Sequence, residues 1–261
     1  DDRDNMEQLV NYCLKHYPGG LPPEDLPGHQ EPPVILFNQV VERMADLAAS
    51  WMVAGFVHGV LNTDNMNISG ESFDYGPWRF LPRWDPTFTA AYFDHQGLYS
   101  FGRQPEALHW NCGQLAVALR LLCDSEPLLA VLNRFGPLYM KAIAKRWCWR
   151  LGVRQISDEQ DAILVAASEK FMREKKMGPD QFFYQIRCGH KPSGDLDEIL
   201  EKYRKTRIDH EYWALGQPQS MHIDEVESIW ASIEQKDDWS LLNQKISLVR
   251  NMGIAHKLNI D

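Results

Sequence analysis

Apolar residues recur every three or four positions along most of the chain, the spacing that gathers them on one face of an α-helix. In the first such stretch Met6, Leu9, Val10 and Cys13 share a face, Asp4 stands where a cap is needed, and Pro18-Gly19-Gly20 ends the helix near Tyr17. The proline-rich run from Leu21 to Pro33 reads as a loop. From about Val34 to Ala54, the residues Phe37, Val40, Val41, Met44, Leu47, Ala48 and Trp51 keep helical spacing, and Gly55 follows as a left-handed terminator. Further helical patterns occupy about Gln104–Leu122, Glu126–Asn133, Leu138–Leu151, Ser157–Lys176, Pro179–Arg187, Asp195–Thr206, Ile223–Glu234 and Trp239–Met252. Extended character is confined to Asn67–Ile68 and Ser72–Phe73, which flank Ser69-Gly70 and predict a short hairpin. Between Trp78 and Phe101 the chain is irregular, and Trp78, Trp84, Phe88, Tyr92 and Phe93 read as core or loop packing rather than a substrate platform. No internal repeat interrupts this pattern, so the expected fold class is mostly α (α+β).

The long helix before Gly55 delivers the chain into a loop rich in metal-ligating types, His58 to Gly76. Kinase-like folds hold magnesium on a nucleotide with an Asn of the catalytic loop and the Asp of an Asp-Phe-Gly turn, because the cations must bridge phosphate oxygens from one side. Asn65 and Asp74, the latter opening Asp74-Tyr75-Gly76, fit those two places. The proton acceptor of such enzymes stands two residues after the His and five before the Asn, and here that position is Val60. Valine accepts no proton, which counts against phosphoryl transfer by that route, and Asp64 is the nearest carboxylate able to replace it. Blander roles are open for each residue: Asn65 and Asp74 as turn formers, Asp64 as a brace on backbone amides, His58 as a structural hydrogen-bonding group. Glu71 and Asp94 read as exposed loop charges. The expected hairpin would fold Asp74 back beside Asn65.

Composition narrows the classes. With 27 Lys plus Arg against 36 Asp plus Glu, the net charge is −9, and no basic run favours nucleic acid or an anionic membrane as partner. Apolar stretches are interrupted well short of the roughly 18 residues that suggest a membrane span, so a soluble, cytoplasmic protein is expected, mitochondrial if eukaryotic. Cys13, Cys112, Cys123, Cys148 and Cys188 are odd in number, widely spaced and without a Cys-x-x-Cys pair, which argues for reduced thiols. The loop lacks alternating oxygen donors for an EF-hand, Gly70 to Asp74 lacks the second glycine of a nucleophile elbow, and the histidines form no His-Glu-x-x-His pattern. The basic cluster from Lys170 to Lys176 reads as a solvated helix face. The chain opens on Asp1, with Met6 inside the first expected helix, and is expected to be cut from something longer.

Several blocks in order carry a resemblance: His58 to Pro77, then Asp94-His95-Gln96-Gly97-Leu98-Tyr99-Ser100-Phe101 with Gln104-Pro105, then Trp110-Asn111 with Leu115-Ala116. Over about Asn5 to Leu121 the chain resembles the selenoprotein O family of pseudokinases. That resemblance implies the C-terminal lobe of a protein-kinase-like fold, with ATP bound in a turned-round orientation and AMP transferred to hydroxyl side chains of proteins. It implies Asp64 as proton acceptor and Asn65 and Asp74 as ligands of magnesium, or alternatively manganese, with Asp74 also near the nucleotide phosphates. It also implies a single domain in which residues 1–125 form the metal-loop core and 126–261 a helical extension. The family's glycine-rich segment, lysine–acid pair and phosphate-binding arginines have no counterpart here; before His58 the strong cations are Arg3, Lys15 and Arg43. A missing N-terminal nucleotide-binding lobe is therefore expected as a partner, and weak ATP binding by this chain alone. The redox-active residue that some members carry near the C-terminus has no match, since no Cys follows Cys188. Two other readings stay open: a scaffolding module without transfer activity, and a conventional kinase using Asp64 as base.

Overall fold

The structure is a computed structural model that describes residues 2–206 and 209–257. Helix α1 (Arg3–His16) is capped by Asp2, whose carboxylate accepts the Asn5 N–H at 3.1 Å, so the cap lies two residues earlier than Asp4. Helix α2 (Pro32–Ala54) begins with prolines at its first positions, where no N–H is needed, and stops at Gly55 with φ of 68°. Strand β1 (Phe56–Val57) follows at once and pairs antiparallel with β2 (Arg79–Phe80), in the register Phe56↔Phe80 and Val57↔Arg79.

The remaining described helices are α3 (Gln104–Leu119), α4 (Ser125–Leu132), α5 (Phe135–Leu151), α6 (Asp158–Lys175), α7 (Pro179–Arg187), α8 (Asp195–Leu200), α9 (Ile223–Lys236) and α10 (Ser240–Lys257). The mostly helical class expected from periodicity is the one observed. Helix α8 stops at Leu200 rather than running to Thr206, because the following residues are recruited elsewhere. The Arg204 carbonyl accepts the Arg154 N–H, and the Thr206 N–H reaches the Gly152 carbonyl.

Helix α2 is the axis of the molecule. One face (Val34, Phe37, Val41, Met44) packs with Val10 and Cys13 of α1, Leu108 and Cys112 of α3, and Leu128 and Val131 of α4. Its C-terminal half (Ala49, Met52, Val53) joins a second cluster with Trp147 and Leu151 of α5, Leu164 and Met172 of α6, and Phe182 and Phe183 of α7. A helix buried on nearly all sides is held by packing rather than propensity, and it makes a rigid platform for whatever leaves its end. All five cysteines are free; burial pushes the Cys112 and Cys148 thiols up to about 12, which leaves them unreactive.

A smaller aromatic cluster, Tyr184, Tyr212 and Trp213, packs with Ala255 and places α10 against α7. Beside it the His256 ring donates Nδ1–H to the Met252 carbonyl at 2.9 Å and lies 5.0 Å from the Trp213 ring. Burial, with help from Arg150 and Arg187, pushes its pKa down to about 4.

Two measurements follow. A Cβ on Gly55 would sit 2.7 Å from Pro179 Cγ in a left-handed backbone, whereas one on Gly189, also at positive φ, meets nothing within 4 Å. Gly189→Ala should cost about 1 kcal/mol in urea denaturation and Gly55→Ala at least about 2 kcal/mol, the excess being the clash. For His256 the folded pKa lies below the unfolded value, so its neutral form costs nothing above pH 6.5. Stability is then lost as pH falls from about 6.5 to about 4, and the loss levels off below that. Compared with His256→Phe, the wild-type chain should lose on the order of 3 kcal/mol more between pH 7 and pH 4.

Candidate active site

The loop that joins β1 to β2 carries every residue singled out for chemistry. His58, the first residue after β1, is fully buried. Its Nε2 lies 2.7 Å from the Phe73 carbonyl, and because a carbonyl only accepts, that nitrogen carries the proton. The ring thus ties the start of the loop to the residue just before Asp74. From the other side, Gln104 at the head of α3 accepts the His58 N–H at 2.9 Å and donates to the Phe56 carbonyl at 2.8 Å. Asn111, two turns further along the buried face of α3, donates to the Leu61 carbonyl at 2.9 Å.

Helix α2 holds the descending limb. Arg43 donates to the Ile68 carbonyl at 3.1 Å and to the Tyr17 and Pro18 carbonyls, and Trp51 Nε1–H donates to Ser72 Oγ at 2.8 Å. Gly70 lies against Arg43, with φ of 78° and no space for a Cβ, which would stand 2.8 Å from Arg43 Cβ. The Asn67–Gly70 turn exists, closed by the Gly70 N–H on the Asn67 carbonyl at 2.9 Å, but the strands expected on either side of it do not form. Arg43 of α2 occupies the Ile68 carbonyl and Trp51 holds the Ser72 hydroxyl, and strand pairing moves outward to Phe56–Val57 and Arg79–Phe80.

Asp64 and Asn65 sit on a 3₁₀ turn, Thr63–Asn65. Asn65 is buried and its Nδ2 donates to the Val60 carbonyl at 3.0 Å, so the amide oxygen is the atom this side chain can offer a cation. Asp64 is exposed. Asp74 is exposed too and holds a left-handed backbone, φ 49°, closed by the Gly76 N–H on its carbonyl at 2.8 Å. Such a conformation in a non-glycine residue is uncommon and is tolerated best by Asp and Asn. Among the described residues no group of three or more His, Cys, Asp or Glu could hold a metal. One amide oxygen and one carboxylate suit a hard cation that keeps water and shares phosphate oxygens, as magnesium does, rather than one caged by protein alone.

The residues that the sequence reading passed over are those that brace the loop. Asp94, read as an exposed charge, is half-buried and accepts the Leu98 and Tyr99 N–H groups, each at 2.8 Å. The turn it makes aims the Tyr99 hydroxyl at Asn62 Oδ1, 2.6 Å away. Burial first, then the charges of Asp94 and Asp64, raise the Tyr99 pKa and keep this hydroxyl a donor. A polar residue on the buried face of an amphipathic helix, as with Gln104 and Asn111, was the available signal. Glu71 is exposed, as expected, and accepts the Ser69 hydroxyl at 2.7 Å. Among the aromatics, Trp84 is buried in the core, whereas Tyr92 is 88 % and Phe93 52 % exposed, so these two lie outside the core, with their rings 5.3 Å apart in the loop.

A profile of the family described as protein adenylyltransferase SelO matches residues 1–222. The chain belongs to that family. Among curated relatives it is similar to proteins named protein nucleotidyltransferase YdiU. The one from Trichodesmium erythraeum is 31 % identical over 266 residues, which cover 90 % of this chain and 56 % of the relative. The one from Trichormus variabilis is 38 % identical over 70 % of this chain and 37 % of its own length. The one from Hahella chejuensis is 42 % identical over 58 % of this chain and 30 % of its own. The chain spans about half the length of the curated relatives it matches, or less. The family match includes the whole closed loop and its braces on α2 and α3.

Those braces are open to test. Gln104→Leu leaves the buried His58 N–H and the Phe56 carbonyl unpaired, and should lower stability by about 2–4 kcal/mol in urea denaturation. Amide exchange should rise at residues 56–58 and 73–75 more than in α6.

Proposed function

We propose that these 261 residues carry the metal-binding and proton-accepting loop of a protein adenylyltransferase, which moves AMP from ATP to Ser, Thr or Tyr hydroxyls of other proteins. One observation carries the reading. Within the family-matched stretch, the loop clasped by His58 and Phe73 keeps an amide oxygen and a carboxylate at Asn65 and Asp74, but has Val60 where a kinase has its proton acceptor.

Asp64, exposed and next to Asn65, is the proposed acceptor. The substrate oxygen attacks the α-phosphorus, the bond to the β-phosphate oxygen breaks, pyrophosphate leaves with the electron pair, and the hydroxyl proton passes to the Asp64 carboxylate. Positioned proton acceptance of this kind contributes roughly 10²- to 10⁴-fold in rate. Asn65 Oδ1 and the Asp74 carboxylate would hold magnesium, or alternatively manganese, together with phosphate oxygens; bound there, the cation offsets the charge of the triphosphate.

Arg43 is engaged by three backbone carbonyls and Arg3 by the Leu121 and Leu122 carbonyls, so neither guanidinium is offered to a phosphate. Of the strong cations before His58 that leaves the exposed Lys15, so on this proposal the cations for the triphosphate come chiefly from a nucleotide-binding lobe outside these residues. Residues 1–125 act as the metal-loop core and 126–261 as its helical extension. That the chain spans about half or less of each relative supports a further lobe outside these residues, not a boundary within them.

Labelled ATP separates the alternatives. Incorporation of label from the α-phosphate but not the γ-phosphate into an acceptor protein is the expected result. Asp64→Asn should lower the rate by roughly 10²-fold or more, and Asp74→Ala should abolish magnesium-dependent nucleotide binding. Label from the γ-phosphate would mean a conventional kinase, and no magnesium-dependent nucleotide binding even with the nucleotide-binding lobe rejoined would mean a scaffolding module.

A further inference from the structure

Beside the loop lies a cavity of about 260 Å³ between the Asp94–Tyr99 turn and the first turns of α3. Its floor is Leu61, which is buried, and its walls are Leu98, Tyr99, Ala107 and Trp110. The Arg103–Glu106 ion pair, 3.1 Å, stands at the rim. Leu98 is 49 % and Trp110 59 % exposed, so two large apolar side chains face solvent around one hollow. Exposed apolar surface gathered around a concavity marks a place that something covers.

The hollow is small, about 260 Å³, at the low end of small-molecule and cofactor sites and of a size to admit one large side chain. Position decides the rest. Leu61 precedes Asp64 by three residues, which at roughly 3.3–3.6 Å per residue puts the floor within about 10 Å of the proposed proton acceptor along the chain. An extended acceptor segment advances by the same length per residue. A side chain filling the hollow therefore belongs to a residue within about three positions of the hydroxyl being modified. Tyr99 makes the link physical, since one face of it walls the cavity and its hydroxyl is bonded to Asn62, two residues before Asp64.

We propose that this cavity is the specificity pocket for the protein acceptor, taking a large apolar side chain, Leu or Phe, that flanks the target Ser, Thr or Tyr. The proposal rests on the transfer reading above for the meaning of "acceptor", but the pocket binds peptide whether or not AMP is transferred. An acidic side chain is rejected because the walls are mainly apolar and Glu106 already places a carboxylate at the rim, paired with Arg103.

The test is equilibrium binding, without nucleotide, of fluorescein-labelled peptides to the 261-residue chain. Each peptide is a single Ser in a Gly background, with Phe or Asp placed one to three positions to either side. At one or more offsets the Phe peptide should bind about tenfold more tightly than its Asp counterpart, the discrimination typical of one apolar subsite. In Trp110→Ala and in Leu98→Asp, both at exposed positions that tolerate substitution, that ratio should fall to near one. Trp230→Ala, equally exposed on α9, should keep it. No preference at any offset, or a preference that survives both pocket variants, overturns the proposal. Because nucleotide is absent, failure of α-phosphate labelling with the peptide preference intact overturns the functional reading alone, and the converse overturns the pocket alone.

Discussion

The hydrogen bond from the buried His58 ring to the Phe73 carbonyl is the contact around which the site is organised. The chain between β1 and β2 is long and mostly irregular, and a sheet of two residue pairs is by itself marginal in water. The ring converts that weak closure into a fixed one. It lies under the loop and out of solvent, where an amide-type hydrogen bond is not exchanged for water and an unpaired carbonyl is costly. Asp74 follows the clamped residue directly, so its left-handed turn starts from a fixed point rather than from a mobile strand end. Asn65, on the other limb, is oriented by its own bond to Val60.

That clamp is useful only because what surrounds it is rigid. Helix α2 is buried on nearly every side by two hydrophobic clusters, and it both delivers the chain to His58 and reaches the returning limb with Arg43 and Trp51. Helix α3 reaches the ascending limb with Gln104 and Asn111. Four side chains from two well-packed helices thus fix a loop whose exposed carboxylates, Asp64 and Asp74, pack against little themselves. Side chains carried on loops but positioned by helices in this way can be both solvent-accessible and pre-organised.

Much of this was legible in the sequence. Helix α7 runs between the residues expected, Pro179 and Arg187, because a proline at its first position and a loss of periodicity at its end both speak locally. The Asn65 and Asp74 pair was visible as a motif, and the family match covers it. Tertiary contacts were not legible. The turn at Ser69-Gly70 was read correctly, but whether strands form beside it depends on partners far away in the chain, and Arg43 and Trp51 took that role. Asp94 looked like a surface charge because nothing in its neighbours announces that two amides fold back onto it. Tyr92 and Phe93 looked like core packing because aromatic residues usually are, and the sequence holds no sign that their rings would meet each other at the surface.

The proposed convergence of residues 65 and 74 on one cation can be tested without any assay of transfer. Manganese added with a non-hydrolysable ATP analogue relaxes nearby nuclei steeply with distance, so backbone amide resonances of the isotopically labelled chain report which residues approach it. Selective broadening at residues 64–66 and 73–76 together, abolished in His58→Phe although that chain remains folded, is the expected result. Broadening at only one of the two limbs, or an unchanged pattern in His58→Phe, would contradict it.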